Sequence, residues 1–253
     1  MDHLPGKFVW FEHLSPDPAA ARGFYERLLG WHVELMPIGD ERYPLIMNGS
    51  DGIGGFVTAK AGEATQWRSY LSVQDVDHSH RTALAAGAKS LQAPADFGAV
   101  GRGATITDPT GAVVSLWKST QGDRPDVPQA PPGQWCWNEL WTGDARRALA
   151  FYEAAFGYGH DTMDMGEQGT YYMLAKGGQS RGGIMQCGDD MPTMWVPYVA
   201  VADADATADQ AQALKGTVMM PPADIPGVGR FSVLMDPFGA TFAIIRLTPA
   251  STA

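Results

Sequence analysis
Cysteine is scarce: the 253 residues include two, Cys136 and Cys187, too few to build a disulfide framework. Basic residues are in deficit as well. Eighteen Lys and Arg against 28 Asp and Glu leave a formal net charge of -10, and a field of that sign repels phosphate backbones and anionic lipid surfaces. No uninterrupted apolar run approaches the length that spans a bilayer. The first residues, Met1-Asp2-His3-Leu4-Pro5-Gly6-Lys7, lack the basic segment and apolar stretch of an export signal. Nucleic acid and membrane are therefore excluded as expected partners, and a cytoplasmic protein with two reduced thiols is expected. Glycine-rich phosphate loops are missing too, and neither a Ser-His-Asp nor a Cys-His set can be assembled. What is present, 45% hydrophobic and 18% charged residues, is the composition of a globular protein.

An internal repeat organises the chain. Phe24-Tyr25-Glu26 followed by Gly30-Trp31 recurs 127 positions on as Phe151-Tyr152-Glu153 followed by Gly157-Tyr158, and Trp10 and Glu12 then fall on Trp137 and Glu139. Further along the offset becomes 128. Gly54-Gly55 meets Gly182-Gly183, Trp67 meets Trp195, Tyr70 meets Tyr198, and Asp75 and Asp77 meet Asp203 and Asp205. Arg102 meets Arg230, and Asp108-Pro109-Thr110-Gly111 meets Asp236-Pro237-Phe238-Gly239. Matches in the same order with one inserted residue mark a tandem duplication. Residues 119–133, with Pro125, Pro128, Pro131 and Pro132, read as an extended linker between a module at 5–118 and a second at 134–248.

Each module carries the same elements. Phe8 to Leu14 and Trp135 to Trp141 read as strands, and each is followed by a helix. Ser15-Pro16-Asp17 and Thr142-Gly143-Asp144 are the cap candidates, with closure at Gly30 and Gly157. Strands are expected over Pro44 to Met47 and Ile53 to Thr58, matched by Tyr171 to Leu174 and Gly183 to Gln186. Trp67 to Val73 is another, then a helix over Val76 to Ala86, then two strands around the Asp-Pro-x-Gly turn. The pattern is βαβββ twice per module.

This order of motifs resembles the vicinal oxygen chelate superfamily, which includes glyoxalase I, extradiol dioxygenases, fosfomycin-resistance enzymes and bleomycin-resistance binding proteins. Trp137-Asn138-Glu139-Leu140 and Pro222-Ala223-Asp224-Ile225-Pro226 are similar to runs in two-module glyoxalase-like proteins of the actinobacterial antigen type. The resemblance implies an α+β fold: tandem modules of paired βαβββ units, with curved mixed sheets forming a cup and the helices outside. It also implies where a metal enzyme of the superfamily would carry its ligands: Trp10 and Trp137 on the first strands, Arg68 and Val196 on the fifth, and Ser115 and Ala243 on the last. None of these is a good ligand, so no metal and no cofactor is expected.

In the alternation of a strand, Trp10, Glu12 and Leu14 share one face, as do Trp137, Glu139 and Trp141. His13, next to Glu12, points the other way. Tyr70 and Tyr198 sit inside the fifth strands. A carboxylate among aromatics is costly to bury alone. Glu12 and Glu139 are therefore either polar anchors or general bases in a ligand site, or structural acceptors for backbone N–H groups, tyrosines, Arg102 or Arg230. The expected ligand-binding set is Trp10, Glu12, Tyr70, Trp137, Glu139, Trp141 and Tyr198, grouped by module, with Glu12 and Glu139 as the catalytic candidates. The methionines crowding the second module suit an adaptable apolar pocket or plain core filling. A metal-independent binder of a small, partly apolar or aromatic molecule is the leading expectation, of binding, sequestration or resistance type and present as monomer or homodimer. A glyoxalase-like lyase or other superfamily enzyme, metal-dependent or cofactor-free, is the first alternative, and an interaction module with a vestigial cup the second.

Overall fold
The computed structural model describes residues 2–39, 41–166, 169–188 and 190–249. The first module runs β1 (Phe8–Ser15), α1 (Pro18–Leu29), β2 (His32–Ile38), β3 (Glu41–Asn48), β4 (Asp51–Thr58), β5 (Gln66–Ser72), α2 (Val76–Ala85), β6 (Lys89–Phe97), β7 (Gly101–Thr107) and β8 (Val113–Ser119). The second repeats it as β9 (Trp135–Thr142), α3 (Ala145–Phe156), β10 (Gly159–Asp164), β11 (Thr170–Lys176), β12 (Gln179–Gln186), β13 (Met194–Ala200), α4 (Ala204–Ala213), β14 (Thr217–Ile225), β15 (Gly229–Met235) and β16 (Thr241–Leu247). Two mixed sheets of eight strands result, ordered β2-β3-β4-β1-β5-β8-β7-β6 and β10-β11-β12-β9-β13-β16-β15-β14. This is the α+β, twice-βαβββ fold that the repeat indicates.

The helix ends are set locally. Asp17 and Asp144 accept from the N–H groups of Ala20 and Arg147, and Gly30 and Gly157 close α1 and α3 in the left-handed conformation that favours glycine. Asp75 and Asp203 cap α2 and α4 in the same way. The second Asp of each Asp-x-Asp has a different task. Asp77 binds Arg102 through both oxygens at 2.7 and 2.9 Å, and Asp205 binds Arg230 at 2.6 and 2.8 Å. Each guanidinium holds its exposed Asp partner below the usual carboxylate range. Arg102 and Arg230, weighed above as partners for the glutamates, are thus bound to Asp77 and Asp96 and to Asp205 and Asp224.

The compact units follow a different division from the hydrogen-bonded sheets. Unit 1 comprises residues 1–10, 68–125 and 137–195, and unit 2 comprises 11–67, 126–136 and 196–253. Unit 1 therefore joins the second half of the first module to the first half of the second; unit 2 joins the remaining halves. In unit 1, Leu71, Ile106, Val114 and Leu116 share one core with Leu140, Leu174, Ile184 and Phe151. By strand alternation the opposite face carries Arg68, Tyr70, Ser115 and Trp117 together with Trp137, Glu139 and Trp141.

Each unit is pinned by the same buried chain of donors. In unit 1, Trp195 Nε1 donates to the Tyr152 hydroxyl at 2.8 Å, which donates to Asp108 Oδ2 at 3.1 Å. In unit 2, Trp67 Nε1 donates to Tyr25 at 2.8 Å, which donates to Asp236 Oδ2 at 2.9 Å. The other carboxylate oxygen of each Asp accepts from backbone N–H groups of its own turn, Thr110, Gly111 and Ala112 or Phe238 and Ala240. Unit 2 adds His13, fully buried, whose Nε2 donates to Asp236 Oδ2 at 2.6 Å. Its Nδ1 has no partner, which suits the tautomer that leaves a lone pair there instead of a buried N–H. The repeat puts Leu140 at the equivalent place.

Two outcomes are expected from this arrangement. His13→Leu copies the other unit and leaves Asp236 its tyrosine and turn donors, so it should cost at most about 1–2 kcal/mol, whereas Asp236→Ala strands buried donors and should cost about 3–5 kcal/mol; urea unfolding of both variants decides. Burial, reinforced by the neighbouring Asp charge, holds the Tyr25 and Tyr152 hydroxyls well above their ordinary 10.0. The folded chain therefore keeps these protons where the unfolded chain has lost them: the stability they contribute is complete below pH 10 and drains as pH rises above it. In an alkaline titration their phenolate absorbance should appear together with loss of tertiary circular dichroism, not before it.

Candidate functional site
In unit 1 the predicted residues of β9 come together. Glu139 is 7% exposed, and its Oε1 accepts from Trp141 Nε1 at 2.7 Å. A second donor is the Tyr171 hydroxyl on β11, which itself accepts from Trp137 Nε1 at 2.9 Å. Burial first, then the Glu139 charge, raises Tyr171 far above the ordinary tyrosine range, so it stays a donor at neutral pH. The chain Trp137, Tyr171, Glu139, Trp141 is a polar seam within an aromatic wall.

Unit 2 holds a reduced version. Glu12 Oε1 accepts from Tyr43 on β3 at 2.7 Å, and Leu14 stands where the second module has Trp141. Glu12 is the more accessible of the two carboxylates. Tyr198 is 5% exposed and stacks on Phe231, with ring centroids 6.4 Å apart. Trp10 is half-buried on β1 and belongs with unit 1.

Grouping by module does not describe these sets. Tyr70 falls in the unit that holds Glu139, and Tyr198 in the unit that holds Glu12. The sequence pattern also passed over Tyr43 and Tyr171. They were findable, since they stand 128 positions apart, the offset of their neighbours. They also explain the second glycine of each Gly-Gly pair. Gly55 and Gly183 stand beside Glu12 and Glu139 in the parallel pairs β4–β1 and β12–β9. A Cβ there would lie 2.0 Å from the Tyr43 hydroxyl or 1.8 Å from that of Tyr171. Glycine is what lets each tyrosine reach its glutamate.

As a metal centre the site is a poor fit. The positions where the resemblance places ligands hold two indoles, a guanidinium, a methine, a methyl and one hydroxyl, from Trp10, Trp137, Arg68, Val196, Ala243 and Ser115, and none is a usual ligand for a divalent ion. Among the described residues no group of three or more His, Cys, Asp or Glu side chains is placed to hold one. The thiols offer no nucleophile: burial pushes Cys136 up to about 12 and raises Cys187.

Residues 9–117 match the family model for a glyoxalase-like domain, and residues 137–244 match that of the glyoxalase/bleomycin resistance protein/dioxygenase superfamily. The chain belongs to this superfamily. A Mycobacterium tuberculosis (strain CDC 1551 / Oshkosh) protein named "Putative glyoxylase CFP32" is 36% identical over 255 residues, covering 98% of this chain and 97% of that protein. The anthracycline biosynthesis protein DauV of Streptomyces sp. (strain C5) is 28% identical over 280 residues, covering 98% and 96%. Among solved structures, the Mn(II)-bound glyoxalase of Novosphingobium aromaticivorans superimposes with a TM-score of 0.64 at 15% identity over 96% of this chain and 82% of that one. The 2,3-dioxygenase LapB of Pseudomonas sp. KL28 also gives 0.64, at 12% identity over 98% and 94%. At such identities the superfamily likeness in structure concerns the fold alone.

The glycine requirement gives a direct test. Gly183→Ala should lower stability by about 2–3 kcal/mol, because Tyr171 must leave Glu139 or the strand must shift. Gly23→Ala, with nothing near the new methyl on α1, should instead stabilise by roughly 0.5–1 kcal/mol. Thermal melting of the pair distinguishes a packed seam from a loose one.

Proposed function
We propose that this superfamily member works without a metal and holds a small, partly apolar or aromatic organic molecule in a cup-shaped site, as a binding or sequestering protein. The observation that carries this reading is the donor set: indole, guanidinium and small side chains stand where a metal enzyme of the fold needs imidazole and carboxylate. The wall of Trp137, Tyr171, Glu139 and Trp141 supports it further, being aromatic with one charged acceptor, the composition of a site that stacks a flat molecule and orients its polar edge. The relatives at 28% identity named for anthracycline biosynthesis point to polycyclic aromatics as a ligand class. Trp10 and Tyr70 of unit 1 and Glu12 and Tyr198 of unit 2 complete the residues assigned to such cups.

A second reading is favoured by the name of the mycobacterial relatives: a glyoxalase-like lyase or other enzyme of the superfamily. Glu12, the more accessible of the two carboxylates, is the general base that this reading uses.

Native mass spectrometry of freshly purified chain, with elemental analysis, tests the two together. A retained small molecule without stoichiometric Zn, Ni, Fe or Mn is the expected result. An ion near one per chain that resists dialysis would sink metal independence, and turnover abolished by Glu12→Gln in metal-free buffer would favour the enzyme. For the wall itself, Glu139→Gln should weaken binding of the retained molecule about tenfold with the fold intact. A lowered melting temperature with unchanged affinity would leave Glu139 a purely structural acceptor.

A further inference from the structure
On the face opposite the helices, the two units differ position by position. Unit 1 carries Arg68, Thr105, Ser115 and Trp117 where unit 2, 128 positions on, carries Val196, Val233, Ala243 and Ile245. Gly103 likewise corresponds to Phe231. In unit 2 this surface is closed by its own side chains: Val196, Val233 and Ala243 are fully buried, Ile245 is 4% exposed, and Phe231 lies on Tyr198 with the ring planes 24° apart. In unit 1 Thr105 and Ser115 are buried too, at 7% and 1% exposed, but the aromatic part of the face is not closed. Tyr70 and Trp117 are half-buried, and Phe97 at the end of β6 is 37% exposed.

The open surface has a definite form. The Trp117 ring lies 5.6 Å from Phe97 and 6.1 Å from Tyr70, centroid to centroid, edge-on to both at 66° and 85°. Trp117 pairs with Gly103 across β7–β8. A Cβ on Gly101 would lie 2.5 Å from Trp117 Cζ2, and one on Gly103 3.0 Å from its Cε3. The indole therefore lies along the bare backbone of β7, one face against the strand and the other turned away from the sheet. Beside it, Thr105 and Ser115 share one hydrogen bond at 2.9 Å. Two hydroxyls carry two protons, so one donor remains. Aromatic surface left in water forgoes about 25 cal/mol per Å², and the equivalent place in unit 2 shows that the fold can bury it.

We propose that the Phe97–Trp117–Tyr70 shelf of unit 1 is a stacking site for a planar, multi-ring aromatic ligand lying on the outer face of the indole between the two edge-on rings, and that unit 2 has the same surface filled from within. This rests on the ligand-binding reading above and deepens it by choosing one unit and one wall. The outer face of the indole, bordered by two rings that meet it edge-on, selects the ligand class: a fused ring system covers the indole and reaches the Phe97 edge, whereas a compact aliphatic molecule covers neither.

The probe is quinizarin, a dihydroxyanthraquinone with oxygens along one edge, measured against the full chain by equilibrium dialysis and tryptophan quenching. Trp117→Ile installs the residue that unit 2 carries at this place, and Phe97→Ala trims an exposed ring, so a folded variant is available from at least one; melting curves report which. Each is expected to raise Kd about tenfold, while Phe231→Leu leaves it within about twofold. Unchanged affinity in the folded shelf variants overturns the proposal. If Phe231→Leu weakens binding instead, the guest sits in unit 2 and the ligand reading survives without the shelf. No binding to the unaltered chain overturns the shelf and the aromatic-ligand reading together.

Discussion
Two buried carboxylates, Asp108 and Asp236, are the constraint on which the rest of the molecule depends. Each is 4% exposed or less, and a carboxylate so placed is tolerable only with its oxygens fully engaged. One oxygen organises the Asp-Pro-x-Gly turn and the other receives a tyrosine hydroxyl that in turn receives an indole N–H. A turn, a helix and a strand are thereby locked to one another. Because Tyr152 belongs to the second module and Asp108 to the first, the lock can form only in a unit that mixes modules. The same holds for Tyr25 and Asp236. The duplication is therefore not two independent beads: each unit is completed by residues from the other repeat.

With both units held by the same lock, their remaining faces are free to differ. The seam around Glu139 gains Trp141 where the seam around Glu12 has Leu14, and the strand faces of unit 1 keep hydroxyls and an indole where unit 2 packs Val, Ala, Ile and Phe. His13 shows the same divergence inside the lock, for a leucine serves at its counterpart. The duplicated fold thus retains its stabilising network while the strand faces of one unit stay polar and those of the other become apolar.

Much of the fold was legible in the order of residues because its signals are local. An Asp cap, a glycine in the left-handed conformation and a Pro-x-Gly turn act within a few positions, so the boundaries of α1 and α3 could be read closely. The strands β2 and β10 were passed over for an equally physical reason. They are sheet edges, and β10 is exposed along its whole length, so neither shows the alternation that burial imposes. The inward direction of Glu12 and Glu139 followed from alternation, but their donors did not, because Tyr43 and Tyr171 lie more than thirty positions away on other strands.

The sequence by itself determined the duplication, the element order and the α+β class, since each rests on residue identity or short-range geometry. Which halves form a unit, and hence that Tyr70 belongs with Glu139 and Tyr198 with Glu12, was decided only by tertiary structure. Two nearly equal repeats offer the same local patterns for pairing within a module or across modules. Long-range contacts select between them, among them the buried bonds from Tyr25 to Asp236 and from Tyr152 to Asp108, made over 211 and 44 positions.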